Sequence, residues 1–225
     1  MHRIPEPELM EDPVQAHAYA NADFEEPHNR FIDLFREVFG HDEVTATILD
    51  LGCGPADITV RLANAFPECV IHGVDGAASM LEEGRKRIAR ENLQNRIHLF
   101  QGYIPEFQSP EKFYRFVISN SLLHHLHNPG VLWEYIRGCA DKDTFIFIMD
   151  LIRPQTTSKA WELVNSYSGS EPEILRRDFY NSLCAAFTPE EVQQQLQMSG
   201  MANLKIQTVS DRHMIIYGHI GNAQI

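Results

Sequence analysis

Ile48-Leu49-Asp50-Leu51-Gly52-Cys53-Gly54-Pro55-Ala56-Asp57-Ile58 reads as a strand, a tight turn and the opening of a helix. A short apolar run ends in an acid, a glycine pair follows, and the next residues can start a helix. Glycine has no Cβ, so the turn can take unusual backbone angles and a ligand can approach it closely. Further on, Val70-Ile71-His72-Gly73-Val74-Asp75 is a second apolar run ending in an acid. An acid at the tip of the second strand of such a unit can accept hydrogen bonds from both hydroxyls of a ribose.

Strands and helices alternate on either side of this element. The predicted strands are Thr47–Leu51, Val70–Val74, Ile97–Gln101, Phe113–Ser119 and Thr144–Leu151. Helices are predicted at Ala56–Ala65, which Pro67 ends, at Ala77–Glu91, and over most of Leu122–Cys139. That rhythm implies an α/β fold with a parallel sheet and right-handed crossovers. The rhythm breaks after the fifth strand. From about 153 to 187 two helical patterns containing Trp161, Tyr167, Phe179 and Tyr180 read as an inserted helical lid. Thr188-Pro189-Glu190-Glu191 then starts another helix, with Thr188 as N-cap and Glu191 completing a capping box. Two β-like runs, Leu204–Val209 and Met214–Gly218, finish the chain. At the other end, residues 1–13 read as an extended proline-rich arm. From Val14 to Phe39 apolar residues recur at helical spacing, with Phe31, Leu34, Phe35, Val38 and Phe39 on one stripe. Gly40 can close that helix and His41-Asp42 turns the chain. The expected organisation is a helical arm at 1–44 and a main domain at 45–225 that carries the insertion.

Composition excludes several classes. In 225 residues, 44% are hydrophobic and 22% charged, which is enough to bury one substantial core. The formal charge is −12, whereas a protein that grips nucleic acid needs a basic face. The densest basic stretch, Arg85-Lys86-Arg87 with Arg90, is interleaved with Glu82, Glu83 and Glu91 and reads as a solvated helix face. Cys53, Cys69, Cys139 and Cys184 form no C-x-x-C pair, so neither a zinc framework nor a disulfide scaffold is expected. The start of the chain has prolines and acids where a signal peptide needs an apolar stretch. The apolar run Phe145–Met149 is too short to cross a bilayer. A cytoplasmic setting is expected.

The glycine turn resembles motif I of the class I S-adenosylmethionine (SAM)-dependent methyltransferases, roughly acid-x-Gly-x-Gly-x-Gly. Asp50, Gly52 and Gly54 match it, and Ala56 replaces the third glycine. A dinucleotide fingerprint, G-x-G-x-x-G, would place a small residue at 57. Asp57 would instead meet a pyrophosphate as a like charge at the helix start, and SAM carries no phosphate. The resemblance covers about 45–151 and 188–220. It implies a Rossmann-like three-layer sandwich whose seven-stranded, mostly parallel sheet runs 3-2-1-4-5-7-6, the last strand being antiparallel and inserted between its neighbours. It further implies that SAM is the cofactor and that a methyl group passes to a small-molecule acceptor. The alternatives are an RNA or protein methyltransferase, or a SAM- or carboxy-SAM-binding protein with a different reaction or none.

Ligands of open α/β sheets bind outside the carboxyl ends of the strands. Gly52 and Gly54 therefore face the methionine part of SAM, with Asp50 just before them, while Asp75 and Gly76 face the ribose. After strand three come Gly102, Tyr103 and Ile104. Similar proteins carry an acid where this chain has Tyr103, so the adenine contact is left to a backbone group, to Gln101 or to the Tyr103 ring. Asn120, after strand four, is expected beside the SAM amino group. Tyr19 lies in a segment resembling the aromatic cover of many small-molecule members, and it can equally be an ordinary amphipathic turn.

The acceptor side has weaker signals. Leu123-His124-His125-Leu126-His127 admits packing around the cofactor, a base role for His124 or His125, or a metal. No third ligand is visible nearby, and no metal is expected. Asp150 and Arg153 leave strand five and can face the cleft. Arg176-Arg177 can bind an acidic acceptor or pair with Glu171, Glu173 and Asp178. Trp161, Tyr167 and Tyr180 read as lid core, with Tyr180 on one wall of the acceptor site. Methyl transfer needs placement and desolvation more than a proton shuttle, so the absence of a catalytic triad does not argue against an enzyme. The Phe-rich N-terminal helix can close over the site or form the face of a homodimer.

Overall fold

The computed structural model describes residues 1–7, 11–40 and 45–222. The turn expected at His41-Asp42 and the last residues of the main domain lie outside them.

Seven strands form one sheet: β1 (Thr47–Leu51), β2 (Val70–Asp75), β3 (Ile97–Gln101), β4 (Phe116–Asn120), β5 (Phe145–Leu151), β6 (Lys205–Thr208) and β7 (His213–His219). Their order is β3-β2-β1-β4-β5-β7-β6, as the resemblance implied. Pairings among β1 to β5 are parallel, and β7 runs antiparallel between β5 and β6. Thr47 pairs with Val70 and Ile48 with Phe116, which brings the carboxyl ends of β1, β2 and β4 to one edge.

Alternation along the strands builds the two cores. Ile48 points to a face covered by α2 (Glu25–Phe39), α3 (Asp57–Ala65) and α4 (Ala78–Arg90). Leu49 points to the face covered by α5 (Gly130–Gly138) and α8 (Pro189–Met198). On the first face Phe31 and Phe35 are fully buried and meet Phe147 edge-on at 4.9 and 5.5 Å. Each such ring contributes about 1.5–3 kcal/mol by burial, with up to about 1 kcal/mol more from edge-to-face contact. The aromatic stripe of α2 thus packs onto the sheet of its own chain. It neither closes over the site nor stays free as a dimer face, which corrects both expectations for that stripe.

The segment 14–39 is two helices rather than one. The Asn21 side chain donates to the His17 carbonyl at 2.7 Å, closing α1 (Pro13–Ala20), and Asp23 accepts from the Glu25 amide at 3.0 Å at the start of α2. Short polar side chains that bond nearby backbone compete with helix continuation. The segment 122–139 is broken too. A 3-10 turn spans Leu123–His125, and α5 begins only after Pro129, which disfavours helix at the residue before it. Strand four starts at Phe116, three residues later than expected. Residues 113–115 still alternate, but their neighbours β1 and β5 begin pairing only at Ile48 and Phe145.

The insertion forms α6 (Thr157–Ser168) and α7 (Glu173–Ala185). Its core is Leu151, Ala160, Leu163, Val164, Leu183 and Ala186, with Tyr180 packed against it. Trp161 and Tyr167 are not in that core. They fall on the outer side of α6, 45% and 47% exposed. Trp161 stacks on Tyr180 at 4.3 Å, and Tyr167 donates to Asp211 beneath the Arg212 guanidinium. The Thr188–Glu191 capping box at α8 is formed in both directions.

Candidate active site

The turn after β1 is built from backbone bonds to β2. The Gly52 and Cys53 amides donate to the Val74 carbonyl at 2.8 and 3.0 Å. Gly52, Gly54 and Ala56 all take left-handed backbone angles. A Cβ on Gly52 would strike Leu122, whereas one on Gly54 would meet nothing within 4 Å. Gly54 is therefore the glycine that leaves space beside the strand tips. Asp75 accepts from the Gly54 amide at 2.9 Å and from the Ala77 amide at 2.8 Å. Burial raises its carboxyl pKa, and those two amides oppose the rise.

Asp50 is 1% exposed and lies beneath the turn, accepting a 2.6 Å bond from Thr59. Burial pushes its carboxyl up to about 7, against that bond. It joins β1 to α3, so its role is to hold the turn.

Gly76 gives its carbonyl to the Gln101 side chain at 3.2 Å, and Gly102 donates to the Asp75 carbonyl at 3.1 Å. A Cβ on Gly102 would overlap Phe107, and Ile104 packs into the second core, so these two shape the β3 loop from inside. Tyr103 is 47% exposed at the same loop. Asn120 ends β4, and its buried Oδ1 has no hydrogen-bond partner. Tyr19 packs with Ala16 on Ala77 and Met80, next to the tip of β2. Its hydroxyl pKa is pushed up to about 12, first by burial and then by Asp57, Asp75, Asp150 and Glu6. Asp57 and Asp150 in that set are paired with Arg61, Arg87 and His124, so the negative field at the strand tips is that of Asp75, which suits a sulfonium. The space beside Gly54, the unpaired Asn120 oxygen and this field together fit SAM.

The acceptor side departs further from expectation. His124 is 2% exposed, its Nδ1 2.6 Å from Asp150 Oδ1. Asp150 also accepts from the Leu123 and Leu151 amides at 2.8 and 2.7 Å. Burial works against charge on both partners, yet their attraction holds the His124 pKa above, and that of Asp150 below, the ordinary value. Burial and the neighbouring His124 push His125 down to about 3. Arg153 donates to Glu191 at 2.6 Å and to the Ala186 carbonyl at 3.1 Å. Arg176 donates to Asn165 at 2.9 Å, and Arg177 lies 4.0 Å from Asp178. The expected substrate residues Arg153, Arg176 and Tyr180 thus hold the lid together.

Two residues that organise the site gave no local signal in the sequence. Arg3 donates to the carbonyls of His124, Leu126 and Ala185 and stacks over Phe187 at 4.0 Å. Glu6 accepts from Ser182 at 2.9 Å, and its Oε1 lies 3.6 Å from His124 Nε2 and 3.4 Å from His125 Nδ1. These contacts span over a hundred positions. Asp57, the acid at odds with a pyrophosphate, is held by His28, Arg61 and Arg87, which places its carboxylate well below the usual range even though burial works the other way.

Residues 48–141 match the family described as a methyltransferase domain. The chain is 30% identical over 125 residues to the polyketide synthase ThaQ of Burkholderia thailandensis, covering 55% of this chain and 6% of that protein. It is 33% identical over 69 residues to the trans-aconitate 2-methyltransferase of Variovorax paradoxus, covering 31% and 26%. It is 30% identical over 128 residues to the malonyl-[acyl-carrier protein] O-methyltransferase of Bacillus anthracis, covering 51% and 45%. The chain therefore spans less than half the length of each of these relatives. Among solved structures it is similar to a SAM-dependent methyltransferase from Aquifex aeolicus, at TM-score 0.67 and 15% identity, covering 93% of this chain and 98% of that one. It is also similar to the plantazolicin methyltransferase BpumL bound to SAH and a desmethylplantazolicin analogue, at TM-score 0.69 and 19% identity, covering 92% of each chain.

Proposed function

We propose that this chain, which has the domain and fold of the class I SAM-dependent methyltransferases, transfers a methyl group from SAM to a small-molecule acceptor. The observation that carries the reading is the open space beside Gly54 at the tips of β1 and β2, bordered by Asp75. SAM supplies an electrophilic methyl group on a cationic sulfur. Gly52 and Gly54 bring bare backbone to it, Asp75 takes the ribose, Asn120 Oδ1 takes the amino group and the Tyr103 ring borders the adenine. Tyr19 covers them and excludes water. Asp75 favours the positive charge of the ground state, so acceleration comes from placement of the acceptor in line with the methyl group and from desolvation.

A small acceptor suits a site walled by the N-terminal arm, the 3-10 turn at Leu123–His125 and the α6–α7 insertion. The cations there are already engaged: Arg3 by three carbonyls, Arg153 by Glu191, Arg212 by Glu26 at 3.1 Å. A neutral or cationic acceptor therefore fits better than a di- or tricarboxylate. No described helix is long and apolar enough to cross a membrane, and the four cysteines are free and buried, which agrees with a reducing, cytoplasmic setting.

Titration calorimetry with SAM and with SAH tests the cofactor assignment. Incubation with methyl-labelled SAM and a size-fractionated cell extract tests the acceptor class. Label in the small-molecule fraction is expected, and label confined to protein or RNA overturns the small-acceptor reading. Methylation of trans-aconitate at a rate comparable to any neutral acceptor overturns the charge argument.

A further inference from the structure

We propose that Glu6, His124 and His125 form a site for a divalent cation of the zinc class, which clasps the N-terminal arm to the acceptor side of the cleft. One ligand atom from each of Glu6, His124 and His125 lies within 4.8 Å of the others. Glu6 Oε1 is 3.6 Å from His124 Nε2 and 3.4 Å from His125 Nδ1. Both separations exceed the roughly 2.7–3.2 Å of an N–H···O hydrogen bond. They match the edge of a tetrahedron, because bonds of about 2.0–2.1 Å to zinc put neighbouring ligands about 3.3–3.4 Å apart.

The surroundings have the form of a second ligand shell. A histidine that binds a metal through one nitrogen ordinarily donates from the other to a carboxylate or carbonyl, which fixes its tautomer. The His124 Nδ1 faces Asp150 at 2.6 Å, and Asp150 is itself fixed by two backbone amides. The Glu6 carboxylate is oriented by the Ser182 hydroxyl. His125 Nδ1 is buried without a hydrogen-bond partner, so one of the three donor atoms faces the cluster with nothing else to do. Arg3 is the nearby cation, and its guanidinium is committed to backbone carbonyls. Two imidazoles and a carboxylate leave a fourth coordination position for water. The three ligands come from the arm and from the link after β4, so the ion would tie together segments more than a hundred positions apart. This inference does not depend on which acceptor is methylated.

The full chain, stripped with EDTA and dialysed, is titrated with zinc against a chromophoric chelator, and with cobalt(II) followed by visible absorption. One equivalent with Kd below about 1 μM is expected, together with a tetrahedral cobalt spectrum and a rise in melting temperature. Glu6→Gln and His125→Ala are each expected to weaken zinc binding at least 10-fold. His2→Ala, which removes a histidine outside the cluster, is expected to leave it unchanged. Absence of one-equivalent binding, or wild-type affinity in Glu6→Gln and His125→Ala, overturns the proposal. Should both variants fail to fold, X-ray absorption of the cobalt-loaded wild type decides: imidazole and carboxylate ligation supports the site, and thiolate ligation sinks it. SAM affinity measured on the same samples keeps this result separate from the methyltransferase reading.

Discussion

The Gly54 amide donates to Asp75 Oδ2 across 2.9 Å, so the turn after β1 and the acid at the tip of β2 hold each other in place. A second amide, from Ala77, holds Oδ1 at 2.8 Å. Both bonds come from backbone, so the carboxylate is oriented before any ligand arrives. Its remaining lone pairs can then serve a pair of hydroxyls without reorganisation.

Asp75→Ala is expected to weaken SAM binding by about 1–3 kcal/mol, roughly 5- to 150-fold in Kd. Asp75→Asn keeps one acceptor for the Gly54 amide and is expected to bind better than Asp75→Ala. Calorimetric titration of SAM into each variant reads the difference, and wild-type affinity in Asp75→Ala would remove this residue from the site.

Gly54→Ala and Gly102→Ala separate cofactor space from packing. Gly54 has φ +52 with nothing within 4 Å of a Cβ, so alanine there costs about 1 kcal/mol of backbone strain and juts into the cleft. SAM affinity is expected to fall at least tenfold. A Cβ on Gly102 meets the Phe107 ring instead, and the expected result is a loss of about 1–3 kcal/mol of stability with a smaller change in affinity. Chemical denaturation and titration of both proteins test the contrast, and the opposite pattern would place the cleft on the β3 side.

Arg3→Gln is expected to release the arm. The variant loses bonds to three carbonyls and the contact over Phe187, worth about 1–3 kcal/mol together. Limited proteolysis is expected to cut the first residues faster. SAM affinity should stay near wild type, because none of those partners lies at the glycine turn. Turnover is expected to fall if the arm walls the acceptor site, and unchanged kcat and KM would show that it does not.

The sheet was legible because each central strand is an apolar run with its polar residue at or near the carboxyl end: Asp50 one residue before the end of β1, Asp75 ending β2, Asn120 ending β4. The tips of β1, β2 and β4 share one edge, and the cofactor is proposed to bind there. What stayed hidden depends on pairing between distant positions. Nothing near Glu6 signals His124 and His125, and nothing near Arg3 signals Ala185. Phe113 alternates correctly with its neighbours yet has no strand to pair with. Trp161 looked like core because it is large, but the helical phase set by Ala160, Leu163 and Val164 turns it outward.

Acid should weaken the fold through His213. Burial first, and then the adjacent Arg212, push its pKa down to about 4, while the unfolded chain keeps the ordinary value of about 6.5. Above pH 6.5 the imidazole is neutral in both states and contributes no pH dependence. As pH falls below 6.5 the unfolded chain takes up the proton and the folded chain resists it, so the unfolded state gains. By pH 5 the difference amounts to about 2 kcal/mol, and it stops growing once pH passes below about 4. His213→Gln removes the titration while keeping a polar side chain that can bond Ser210, which now lies 3.2 Å from His213 Nδ1. Urea unfolding of wild type and variant at pH 8 and pH 5 should show the wild type losing about 2 kcal/mol more than His213→Gln. Equal losses would mean that this imidazole is free to charge where it stands, against its place on β7 beside Arg212 and Leu151.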